Sequence, residues 1–495
     1  MSLRPRAPRL PLILVLAAVV AALLPLASSA MALDGLQRMA QGGAAVSALV
    51  VDLETGKSVA SLNPTLRLTP ASVTKLLVAA ASLRRWNAWH QFDTQLLIDG
   101  PVRGWQLNGN LILKGGGDPS LTGGDLWALV AQLKSAGIRT IDGNLLVVPA
   151  PFGTVACGTP DRCKALASSS TAYNAQVSSI GVNFGNWCVT VRPQRPGAPA
   201  NVSPCASVQL PIPVNGQIMT ARAGQNSTFW VERRTDAAGD SLQVGGAIAP
   251  GIAPVDVYRA MSNPAQGAGL ILAGMLHQMG IGFTGKVIVT TASALQRATP
   301  VADFQGQPLS VQLDSMLRFS NNYIADVLTL DLASVGSGPP PTSLAQAGDT
   351  LSVFVARNNA RDLAADPPAP PLHSGSGLTP TNRLSAQDLV DVLTNMYRDA
   401  ANFPAFYGGL VVPGQAPFAF LRQGNRPWLT RVALKTGTMN DPRSVFAIAG
   451  YLRKQDGGWM AFAILVNGNG SHLHIPLYQS LAAARGDVDA ILSRY

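Results

Sequence analysis

Two stretches near opposite ends of the chain limit its architecture more than any other feature. ALVVDLETGKSVASL (48–62) reads as two strands joined by a tight turn at Glu54-Thr55-Gly56. SVFAIAGYLRKQDGGWMAFAILVNG (444–468) reads as a second hairpin, turning at Asp456-Gly457-Gly458. A lone hairpin is marginal in water, and both of these are apolar on both faces, as central strands covered by helices are. The economical solution is one antiparallel sheet containing both hairpins, with helices on its two faces from 71–83, 320–333, 385–400 and 474–493. The expected class is α+β. The core domain is then discontinuous (33–92 and 296–495), and everything between is inserted into it.

The inserted stretch has a texture of its own. QFDTQLLIDG, WQLNGNLILKGGGDPSL and TIDGNLLVVPA are strand-like, and DLWALVAQLKSAG (125–137) is helical, closed by Gly137. From 183 to 262 the helical period vanishes, and short strand-like runs alternate with Pro and Gly. That predicts a small β module nested within a larger inserted domain spanning 93–182 and 263–295. PAQGAGLILAGMLHQMGI (264–281) restores a helix.

The first 32 residues form a basic head, an apolar run broken at Pro25 and a small-residue end, Ala30-Met31-Ala32. This is the pattern of a cleaved secretory signal, with a mature chain from about Leu33 exported to the periplasm or cell envelope. Removing Arg4, Arg6 and Arg9 lowers the net charge from +10 to +7. The surplus suits peripheral association with anionic wall polymer or membrane, and equally an arginine-rich composition. No basic run is dense enough to argue for nucleic acid. Cys157, Cys163, Cys188 and Cys205 all lie in one third of the chain. Export predicts two disulfides, and of the three pairings the nearest-neighbour one, Cys157–Cys163 and Cys188–Cys205, is expected. Their spacing does not suit zinc, and none of the five histidines has metal spacing or a triad context.

Only eight lysines occur, and only Lys75 has a serine three positions before it, Ser72. The pair opens an apolar helix behind Pro70, so Ser72 Oγ and Lys75 Nζ share a face where backbone N–H groups are unpaired. An attacking serine needs a base, and a lysine becomes one when burial or a second cation favours its neutral form. Taken alone, the pair reads more economically as a capping serine and a solvated lysine. Two further signals change that weighting. ALKTGTMNDPRSVFAIAGY (433–451) places Lys435-Thr436-Gly437, followed by Thr438, on a core strand, and RFSNNYIADVLTLDLA (318–333) opens a helix with Ser320-Asn321-Asn322. The ordered triple S-x-x-K, S-x-N, K-T-G is the signature of penicillin-interacting serine enzymes.

The chain resembles the class C low-molecular-mass penicillin-binding proteins, D-alanyl-D-alanine carboxypeptidase/endopeptidases of the penicillin-binding protein 4 type. Their large insertion after the nucleophile helix matches the 248 residues between Ser72 and Ser320, against 115 between Ser320 and Lys435. Gly117-Asp118-Pro119-Ser120-Leu121, TAYNAQVSSIGVNFGN (171–186) and SGSGLTPTNR (374–383) also match. The last departs from the family at Ser374, where an acid is usual, and at Pro380, where an arginine often stands. The resemblance implies a β-lactamase/transpeptidase-like core, no metal and no cofactor. It implies peptidoglycan stem peptides as substrates and β-lactam antibiotics as covalent inhibitors. Ser72 would be the nucleophile, Lys75 its base, Ser320 a proton relay and Asn322 a substrate and lysine ligand. Lys435, Thr436, Gly437 and Thr438 would face the terminal carboxylate. Asp118 is expected to receive the ammonium of a stem-peptide diamino acid; the plainer alternative is an aspartate bonding its own turn. A β-lactamase would share the triple, and a non-catalytic wall-binding protein would show it eroded; no member of it is.

Overall fold

The computed structural model describes residues 31–495 except 156, 158–162, 165–169, 206–209, 337 and 360–369. The expected leader lies outside the described residues up to residue 30. Both hairpins form, and they share one antiparallel sheet. Its strands are β1 (Ala45–Asp52), β2 (Ser58–Leu62), β3 (Val432–Met439), β4 (Val445–Arg453) and β5 (Trp459–Asn467), in the order β2-β1-β5-β4-β3. The first and last segments of the chain thus meet at the β1–β5 ladder, from Ala45↔Asn467 to Asp52↔Met460.

Alternation along β4 and β5 decides what packs where. Ala447, Ala449, Ala461 and Ala463 face one layer of helices, which includes Lys75–Trp86, Asn322–Ala333 and Ala386–Tyr397. Phe446, Ile448, Phe462 and Ile464 face the other, where Asp34–Gln41 and Leu477–Arg494 lie. Small residues on the first face let its helices approach closely; large ones fill the wider gap on the second. The turns of the two hairpins are tied by Lys454, whose Nζ reaches Asp52 at 2.9 Å and Glu54 at 2.7 Å.

The inserted stretch builds a second sheet, in the order Val287–Val289, Leu145–Ala150, Leu111–Gly116, Asp93–Ile98, Thr299–Gln305, with the helices Gly123–Ser135 and Pro264–Gln278 in its core. Thr299–Gln305 pairs with Asp93–Ile98 across a register shift beside Pro300. The chain therefore re-enters the core after Gln305, not at 296. A strand carrying proline is tolerated there because it lies at the sheet edge. Between residues 186 and 260 lie two small three-stranded sheets. Cys157–Cys163 and Cys188–Cys205 are the disulfides.

Candidate active site

The expected helix at 71–83 is built in two parts. Ala71–Thr74 is a 3-10 turn, and the α-helix runs from Lys75 to Trp86. The turn is forced: Ala71 sits at φ +47°, a conformation that costs a non-glycine residue energy. Two glycines make room for it. A side chain on Gly437 of β3 would come within 2.6 Å of the Pro70 carbonyl and 2.9 Å of the Ser72 amide. A side chain on Gly377, at φ +73°, would run into the Ala71 carbonyl. The glycine of K-T-G is thus a packing requirement, since it lets the edge strand lie against the backbone of Ser72.

Lys75 is fully buried, and its amine is 3.0 Å from Ser72 Oγ, 2.8 Å from Asn322 Oδ1 and 2.6 Å from the Ser376 carbonyl. The two carbonyl oxygens can only accept, so they claim N–H groups of Lys75. The Ser72 hydroxyl can give or take a proton. An amine held this way, away from the water that solvates an ammonium, meets the conditions for taking the hydroxyl proton. Each acceptor is itself fixed. Asn322 begins its helix behind the cap Asn321, and its Nδ2 donates to the Tyr173 carbonyl at 3.2 Å. The Ser376 amide donates to buried Asp326 at 2.8 Å.

Lys435 and Ser320 form the second pair. Ser320 is held at φ +58°, and its Oγ accepts from Lys435 Nζ at 2.9 Å. Lys435 also donates to the Thr436 carbonyl at 2.8 Å. Burial pushes its ammonium down to about 7. Thr438 is exposed and Thr436 half-buried, so both hydroxyl-bearing residues border the open side of β3.

The structure therefore assembles Ser72, Lys75, Asn322, Ser320, Lys435 and the 436–438 strand. It does not bring in Asp118. That carboxylate is 3% exposed, and Oδ1 accepts from the Ser120 amide at 2.8 Å and hydroxyl at 2.6 Å, and from Gln312 at 3.4 Å. Its Oδ2 lies unpartnered against Gly306. Burial pushes the Asp118 carboxyl up to about 6. Asp331, on the far part of the Asn322 helix, lies against Gly117 and is raised well above the usual carboxylate range by burial and then by Asp118. Ser374, where the family usually has an acid, is also buried, with its hydroxyl unpartnered.

Sequence reasoning missed Ser376, Asp326 and the Tyr173 carbonyl. The only hint was the spacing of glycines in SGSGLTPTNR: a side chain on Gly375 would collide with Thr329.

The model of the D-Ala-D-Ala carboxypeptidase 3 (S13) family matches residues 32–480. A D-alanyl-D-alanine carboxypeptidase of Actinomadura sp. (strain R39) is 29% identical over 458 residues, covering 89% of this chain and 81% of that one. D-alanyl-D-alanine carboxypeptidase DacB of Haemophilus influenzae is 25% identical, covering 86% of each. Among solved structures, penicillin binding protein 4 from Haemophilus influenzae superposes with a TM-score of 0.72 at 22% identity, over 93% of this chain and 99% of that one. The same protein complexed with a β-lactam superposes at 0.68.

Proposed function

The chain belongs to the D-Ala-D-Ala carboxypeptidase 3 (S13) family, and we propose that Ser72 is the nucleophile with which it cleaves the D-Ala-D-Ala bond of peptidoglycan stem peptides. The protein is a serine-type peptidase of the penicillin-binding protein 4 type. One observation carries the assignment of roles: Lys75 Nζ lies 3.0 Å from Ser72 Oγ, and 2.8 Å and 2.6 Å from the Asn322 and Ser376 carbonyl oxygens, which are themselves held in place. Lys75 takes the Ser72 proton as Oγ attacks the carbonyl between the two D-alanines. The backbone N–H groups of Ser72 and Thr438 receive the oxyanion. Ser320 passes a proton to the leaving amine, and Asn322 holds the substrate amide. Lys435, Thr436 and Thr438 hold the terminal carboxylate. Approach of that carboxylate favours the charged form of Lys435, so substrate completes its own binding site. Water then hydrolyses the acyl-enzyme.

The same chemistry cuts a D-alanyl cross-link when the leaving amine belongs to a second stem peptide, which makes endopeptidase activity part of the reading. A β-lactam amide presents the same carbonyl to Ser72; the β-lactam complex of the Haemophilus influenzae protein supports this. The signal-like leader supports work in the envelope. Asp118 is read as a residue of its own turn. The test is a fluorescent penicillin: the wild type takes one label, and Ser72→Ala takes none and loses hydrolysis by on the order of 10⁴-fold or more. Labelling that survives Ser72→Ala would sink the mechanism.

A further inference from the structure

Beside the site, the ends of β1 and β5 and the turn after β3 enclose a cavity of about 460 Å³. Arg67, Arg383 and Arg443 line it, with Asn63, Asn469 and Thr69, and no carboxylate is among the described lining residues. Its wall is built rather than incidental. Asn467 Oδ1 accepts from the Thr69 amide at 2.9 Å while its Nδ2 donates to the Thr69 carbonyl at 3.1 Å. Arg383 donates to Thr69 Oγ1 at 3.0 Å and to the Asn382 carbonyl at 2.9 Å. Arg67 reaches Asp388 at 3.6 Å, which leaves the charge of Arg383 and Arg443 to face one another across the cavity. Like charges held together in a half-closed space are stabilised by an anion.

Its position says which anion. Thr69 is three residues before Ser72, and Arg443 is four after Met439, where β3 ends. β3 is an edge strand, met by Val411 at Leu434; beyond that no strand pairs with its outer side among the described residues. An extended peptide added to this edge runs past Thr438 towards the Arg443 turn. A confined cavity takes one residue of such a peptide rather than a stretch of polyanionic polymer. We infer that the Arg67–Arg383–Arg443 cavity is a subsite for a carboxylate of the wall peptide, away from the scissile bond. The inference rests on the peptidase reading above.

Arg443→Gln tests it, with a purified cross-linked disaccharide-peptide dimer as probe and the same dimer amidated at every carboxylate except the one beside the scissile bond. On the free-carboxylate dimer the variant should raise KM about tenfold with little change in kcat, the scale of one lost charge-assisted hydrogen bond. On the amidated dimer the wild type should already be about tenfold weaker, and the variant no weaker still. Arg443→Lys should recover most of the loss. Equal losses on both dimers, or no loss, overturn the inference, as does an equal fall in penicillin acylation, which would place the effect at Ser72. Inhibition of the wild type but not the variant by a glycerol phosphate polymer, without any amidation effect, would make this a phosphodiester site and overturn the carboxylate assignment. Failure of the peptidase reading is distinguishable, because the wild type would then cleave neither dimer.

Discussion

Lys454, in the turn between β4 and β5, and Lys435, on β3, are both nearly inaccessible, and they have opposite electrostatic fates. Lys454 is met by Glu54 and Asp52, whose hydrogen bonds lift its ammonium above the ordinary lysine value. Lys435 meets a hydroxyl and a carbonyl, and burial lowers it to about 7. Lys75 also donates to a serine hydroxyl and to two carbonyl oxygens. A buried lysine bonded to carboxylates is a fixed cation that ties the sheet. Lys435, bonded to neutral oxygens and lowered by burial, is a group whose proton can move. Four substitutions or titrations press on that contrast.

The largest effect is expected at Lys75→Arg. Arginine keeps the charge but does not deprotonate near neutrality. Penicillin acylation should fall by about 10²–10⁴-fold, the usual worth of a general base, with melting little changed. Near-wild-type acylation would make Lys75 a mere spacer and dissolve the distinction between the two kinds of lysine.

Lys454→Met should do the converse. Asp52 loses its partner while half-exposed Glu54 regains water, so the cost lies between that of a surface and a buried pair. About 2 kcal/mol of stability should go, roughly thirtyfold in the folding equilibrium. Denaturant titration measures it. Acylation by penicillin below the unfolding transition should persist, and its loss would show that the tie between hairpins shapes the cleft.

The pH profile sharpens the Lys435 half. In the free protein this side chain is cationic below about 7 and neutral above. For substrates ending in a carboxylate, kcat/KM should decline as pH rises past 7, approaching tenfold per unit. Lys435→Arg, always charged, should flatten that limb even if its absolute rate is lower. A profile flat from pH 6 to 8.5 in the wild type would show that the Lys435 charge is not used.

What the sequence disclosed follows the same division. Ser72 and Lys75 share a helix face by spacing alone, and the hairpins announce their sheet through runs of apolar residues. The glycine of K-T-G has a reason visible only in space, because Pro70 and Ser72 press against it. The Ser376 carbonyl was not legible, since any residue supplies one and only the fold of 374–383 aims it at Lys75. Thr299–Gln305 was missed as part of the inserted sheet because its partner lies some two hundred residues earlier and Pro300 disguises its period. For Asp118 the sequence left two readings open for a related reason: a Gly-rich loop early in the insertion suits a cleft wall or a self-bonded turn, and its burial against Gly306 and Gln312 depends on segments far along the chain.

Asp118 gives the smallest effect, and it separates a carboxylate that serves a turn from lysines that serve a reaction. Its folded pKa, about 6, lies above the ordinary 3.8, so between those values the native state binds more protons than the unfolded chain. Stability must then fall as pH rises through this window, by about 1 kcal/mol between pH 5 and 7 from this group. Asp118→Asn keeps an oxygen for the Ser120 amide and hydroxyl and places an uncharged NH₂ where Oδ2 has no partner. The variant should lose that part of the pH slope in denaturant melts while retaining Ser72 acylation and peptide hydrolysis within about threefold. A ten- to hundredfold drop in kcat/KM confined to amine-bearing peptides, with penicillin acylation unchanged, would instead restore Asp118 as a substrate ligand. It would require the 117–120 turn to open when substrate binds, because the carboxylate as folded meets Ser120 and Gln312 and almost no solvent.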